Sequence, residues 1–246
     1  MSGHSKWSTI KRQKGATDIK RGQTFTKVAN ALTIAVKLGG SADPDSNPRL
    51  RIAMEEAKAV NMPKDNVTRA IDRGMGRLPG QVLEEVIFEG FGPGKAAFLI
   101  EAVTDNKLRT LQLVKNLFER SGGNLGGTGS VSYMFGRLGE MRIKSKGRGM
   151  QMEMLELIDL GATDVEDFME ENIQKYLVYT EGSELNIMSN KITQVGYEVE
   201  EAKLVYKPTT VVEIKDPDVV RKVLDFTQKL EELEDVQKVY ANFDIM

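Results

Sequence analysis

The only histidine and the only tryptophan of this chain, His4 and Trp7, fall together in the opening stretch "GHSKW". Seven cations follow or interleave with them: Lys6, Lys11, Arg12, Lys14, Lys20, Arg21 and Lys27. Ammonium and guanidinium groups at this density neutralise phosphates without reading base sequence. An indole stacks on an unpaired base, and an imidazole stacks or hydrogen-bonds a phosphate or base edge. Gly3 and Ser5 add little bulk, so the arm fits a narrow groove. Lys20 and Lys27 share a helix face if a helix begins that early. A second cationic set follows in Arg49, Arg51, Arg69, Arg73 and Arg77. Two bland readings compete: Trp7 with Ile10 as an apolar latch onto a helical core, and the later arginines as partners of Asp65 and Asp72 along ordinary helices.

Other chemistry is poorly supported. One histidine and no cysteine leave no Ser-His-Asp or Cys-His arrangement on a fixed scaffold and no zinc ligand set. "TDVEDFMEEN" lacks the spacing and glycine of a calcium loop and reads as a solvated edge. "GGNLGGTGS" at 122–130 has the glycine spacing of a phosphate loop but no lysine, and strand-like sequence follows it. A plain helix-to-strand connection is the simpler reading. No catalytic residue, metal, cofactor or small-molecule substrate is expected.

The cations sit in a polarised chain of 246 residues. Residues 1–77 hold 15 Lys and Arg against 7 Asp and Glu, whereas the whole chain has a net charge of −2. A basic end that meets a polyanion and an acidic remainder that stays in solvent account for this split. With 40% hydrophobic and 28% charged residues the composition is globular. No apolar run approaches a membrane span, and the N-terminus lacks a secretory apolar core. The expectation is a cytoplasmic, non-enzymatic protein with no membrane partner and, by default, a monomer.

The elements that must position these groups change character along the chain. Helical spacing of Phe25, Val28, Ala29, Leu32, Ala35 and Val36 ends at Gly39-Gly40. Asn47 caps a second helix with Pro48 at its first position, and Pro63 opens a third that ends near Gly74 and Gly76. The join near Asn61-Met62 admits a helix-turn-helix but has no glycine. Beyond Pro79-Gly80, "EEVIFE" and "AAFLIEAV" read as a hairpin around "GFGPGK", then a helix introduced by "TDN" and a strand at "SVSYMF". A β-α-β-β-α-β order follows, as in ferredoxin-like folds. The tail reads strand, helix, strand. Residues 81–135 and the tail are each too small for a core and are expected to complete one another.

The motifs "GHSKW", "LGG" at 38–40, "NPRLR" at 47–51, "NMPKDN" at 61–66, "AVTDN" at 102–106, "GGNLG" at 122–126 and "EDVQKVYANF" at 234–243 together resemble the YebC family. The likeness spans the first 135 residues and the last 40; residues 139–200 match no motif, and Ser2 stands where that family has alanine. The resemblance implies an α+β protein of three domains. These are a basic N-terminal three-helix domain at 1–80, a discontinuous α/β domain at 81–135 plus 207–246, and an inserted ferredoxin-like α/β domain at 136–206. It also implies a regulator of gene expression without known enzymatic activity, a probable DNA-binding transcriptional regulator. The alternative it implies is an RNA- or ribosome-binding translation factor, like the mitochondrial translational activator, with relief of stalling at proline runs attributed to bacterial members. The expected partner is thus DNA, or ribosomal RNA and the ribosome.

Overall fold

The computed structural model describes residues 20–78, 82–170 and 172–245. Those residues form an α+β fold that divides into two compact units. One contains residues 135–209; the other contains the preceding helices and strands through Met134 together with Thr210 onward.

The second unit begins with three helices: α1 (Lys20–Gly39), α2 (Pro48–Ala59) and α3 (Lys64–Gly74). Val28, Leu32, Ala35 and Val36 of α1 share a core with Leu50, Ala53, Ala57, Met62 and Ala70. Residues 32–36 of α1 are buried without a break, so this stretch is covered on every side. α2 and α3 each lie along α1, and β-strands of the same unit touch it elsewhere. Those strands are β1 (Glu84–Phe91), β2 (Ala97–Thr104), β3 (Asn124–Gly126) and β9 (Val236–Ala241), in the order β3-β1-β2-β9. β1 and β2 form the antiparallel hairpin, turning through Gly94 at φ 69°. The helices α4 (Lys107–Arg120) and α7 (Pro217–Glu231) supply Phe118 and Phe226 to a core with Phe98, each at 4.9–6.3 Å from the others in edge-to-face geometry. Short strands β8 (Val212–Ile214) and β10 (Phe243–Ile245) pair in parallel.

Residues 130–134 differ from the strand expected there. Ser132–Met134 is a single 3-10 turn. The buried Glu89 carboxylate accepts the backbone N–H groups of Gly129, Val131 and Ser132 at 2.8–2.9 Å. Donors engaged by a side chain are lost to a β-ladder. The glycine-rich stretch therefore does wrap an anion, but an internal one. Burial opposes that charge, yet the three N–H groups outweigh it and hold the Glu89 pKa below its ordinary value.

The first unit runs β4 (Phe135–Lys144), α5 (Met150–Asp159), β5 (Asp164–Glu170), β6 (Ile173–Glu181), α6 (Leu185–Gln194) and β7 (Val199–Pro208). Its antiparallel sheet has the order β5-β6-β4-β7, which is the ferredoxin-like arrangement. The acidic stretch forms the edge strand β5, but its acids are engaged. Lys207 reaches Asp164 and Glu166 at 2.7 and 2.9 Å, and Lys175 meets Glu170 and Glu200.

Candidate nucleic-acid interface

The helices that carry the cations are locked by residues of the matched motifs. Asn47 caps α2 by accepting the Leu50 N–H at 3.1 Å, and its amide donates to the carbonyls of Ala35 and Ser41. A Cβ on Gly39 would lie 2.3 Å from that amide, so glycine there makes room for the cap. In the join to α3, Asn61 adopts φ 53°, the left-handed conformation that glycine usually supplies in such turns. Met62 donates its N–H to the Ala57 carbonyl and buries its side chain in the core. At the far end of α3 a Cβ on Gly74 would meet the Thr33 carbonyl at 2.6 Å, and the Thr33 hydroxyl donates to the Ala70 carbonyl at 3.0 Å. Hence α3 is pinned to α1 by backbone contact.

The expected contact residues have separate placements. His4, Ser5, Lys6, Trp7, Lys11, Arg12 and Lys14 lie outside the described residues, and for Lys20 and Arg21 only the helical backbone is described. The Lys27 ammonium donates to the Glu231 carbonyl at 2.6 Å, at the end of α7. Arg49 meets Glu85 at 3.4 Å on β1, and Arg77 meets Asp72 at 3.1 Å. Arg51, Arg69 and Arg73 are exposed and make no salt bridge or side-chain hydrogen bond among the described residues. Lys58 and Lys64 share that condition and were missed in the sequence. Lys64 opens the helix that carries Arg69 and Arg73, which was the signal available. Glu55 and Asp65 are the acids left open on α2 and α3.

Two further motifs, 131 positions apart, meet in a polar cluster at the start of α4. The Asp235 carboxylate accepts from the Thr110 hydroxyl at 2.6 Å, the Thr104 hydroxyl at 3.1 Å and the Arg109 guanidinium at 2.9 Å. Burial disfavours its charge, but these donors and the Arg109 charge hold its pKa below the usual carboxylate value. Asn242 accepts the Ala97 N–H at 2.7 Å and joins β9 to β10. Both residues brace the sheet. Among the described residues no group of three or more His, Asp or Glu is disposed to hold a metal, and no helix is long and apolar enough to cross a membrane.

The fold and its exposed cations define a multipart α+β protein with a basic helical bundle at one end of its chain. The family model described as the TACO1/YebC protein N-terminal domain matches residues 5–77, and that described as the TACO1/YebC second and third domain matches 83–243. The chain belongs to the TACO1/YebC family. The second match runs through residues 139–200, where individual motifs were silent. A relative from Syntrophomonas wolfei is 41% identical over all of this chain and 97% of its own, and one from Fusobacterium nucleatum is 45% identical over all of this chain and 96% of its own. Both are named probable transcriptional regulatory proteins. The crystal structure of a conserved hypothetical protein from Aquifex aeolicus superposes with a TM-score of 0.83 at 40% identity, covering 93% of this chain and 92% of that one.

Proposed function

We propose that this protein is a non-enzymatic, cytoplasmic regulator of gene expression that acts by binding DNA. The observation that carries this reading is the charge of its first 77 residues, 15 cations against 7 acids, in a chain of net charge −2. Phosphate is the counter-charge such a surface meets, and the names of the relatives point to transcription. In this reading residues 1–80 bind, while residues 81–135 with 207–246, and the insert 136–206, form the other two domains. The arm from His4 to Lys14 would add to the contact made by the helices. The protein is expected to work as a monomer and without a cofactor.

A second reading, RNA or ribosome binding in translation, is favoured by Trp7 beside the arm's lysines. An indole gains more from the unpaired bases of folded RNA than from a closed duplex. One experiment separates the two readings. Labelled protein is incubated with ribosomes and excess duplex DNA near 0.15 M salt, where weak exposed attractions are screened. Retention on DNA supports the first reading; cosedimentation with ribosomes despite the DNA replaces it with the second.

A further inference from the structure

Within the cationic bundle, the structure separates cations that hold the fold together from cations that are open to a partner. Lys27, Arg49 and Arg77 are spent on Glu231, Glu85 and Asp72. On α3, by contrast, Lys64, Arg69 and Arg73 are exposed with no salt bridge or side-chain hydrogen bond among the described residues. From Lys64 to Arg73 is nine residue steps along one helix, about 13 Å at 1.5 Å per residue. α3 packs on α1 through Ala70 and the close approach at Gly74, and at 3.6 residues per turn Arg73 and Lys64 fall on opposite flanks of its outward side, with Arg69 beside Arg73, so the cations ride on a rod whose position is set by α1. Asp72, which also lies toward the outside, is occupied by Arg77.

Resting on the DNA reading above, we propose that α3 is the element that meets duplex DNA, lying along the major groove with Lys64, Arg69 and Arg73 on flanking phosphates. A B-form major groove, about 12 Å wide, admits an α-helix, whereas the deep and narrow major groove of A-form RNA does not. On each strand phosphates recur about every 3.4 Å of duplex axis, so cations spread over one rigid helix meet several at once. The turn at 60–63, with Asn61 in the left-handed conformation, joins α2 directly to α3, the short connection that a helix-turn-helix requires.

The test is the salt dependence of binding to a labelled mixed-sequence DNA duplex, read by fluorescence anisotropy. The variants are the intact chain carrying Lys64→Gln/Arg69→Gln/Arg73→Gln and a charge-matched control, Arg120→Gln/Arg221→Gln/Lys222→Gln, at exposed positions of α4 and α7. Loss of three phosphate contacts lowers the slope of log affinity against log salt by about 2.7, at 0.9 per contact, while the control keeps the wild-type slope. Equal losses in both variants, or none in either, overturn the assignment to α3. Equal affinity of the wild-type chain for an A-form RNA duplex, with the same loss on substitution, overturns the groove assignment. If the wild-type chain binds no duplex at all, the DNA reading itself falls, and that outcome is seen without any variant.

Discussion

Asp235 shows how single side chains hold this protein together and why they escape notice in sequence. Its carboxylate gathers Thr110, Thr104 and Arg109 from 125–131 positions away. Nothing local distinguishes it from the neighbouring Glu234, which is exposed. Replacing Asp235 by Asn removes the charge that these donors face and places an amide N–H among them. The expected cost is about 1–3 kcal/mol, measured by urea unfolding at neutral pH. The pH dependence has a definite sign. Because the folded carboxylate titrates below its unfolded value of about 3.9, its contribution is complete above that pH and is lost as pH falls through the lower folded value. Asp235→Asn therefore flattens the stability curve below about pH 4, and an unchanged acid limb would exclude the cluster as its source.

Helices and strands were legible where their signals are local. Asn47 and Asn106 cap the helices they precede, each accepting an N–H three residues on, and the hairpin turns at its glycine-proline stretch. The 3-10 turn at 132–134 was not legible, since the carboxylate that claims its N–H groups belongs to Glu89 on another strand. Of the open cations of α3, Lys64 was not picked out, and Arg69 and Arg73 were legible only as a group with Arg49, because pairing with Glu85 depends on how two distant elements dock. Packing of α3 on α1 yields a test of its own. Alanine at a helical glycine ordinarily stabilises by about 1 kcal/mol. At Gly74 the added methyl would press on the Thr33 carbonyl and Val36, and overpacking costs about 1–3 kcal/mol. The second effect wins, so Gly74→Ala lowers the midpoint of thermal unfolding; a raised midpoint would refute the close approach.

For the molecule as a whole, the first unit enters and leaves the chain at neighbouring points. Its first and last strands pair, with Phe135 opposite Pro208. The two ends of the second unit, at 134 and 210, are thus bridged by a pair of adjacent residues. Replacing 135–209 by a short glycine linker is expected to leave a cooperatively unfolding unit, followed by far-UV circular dichroism; a broad, non-cooperative melt would mean that the insertion is needed for the rest to fold. The pairing of β2 with β9 has a consequence for synthesis. Thr104, at the end of β2, leaves the ribosome 131 residues ahead of Asp235, immediately before β9. At 5–20 residues per second that interval is on the order of ten seconds. Throughout it one edge of β2, an almost wholly apolar strand, has no partner. A nascent chain in that condition invites strand addition from its neighbours, and the insert, whose strands all lie within 75 consecutive residues, can fold meanwhile. Protection of that edge during synthesis is thus a requirement separate from the stability of the finished sheet.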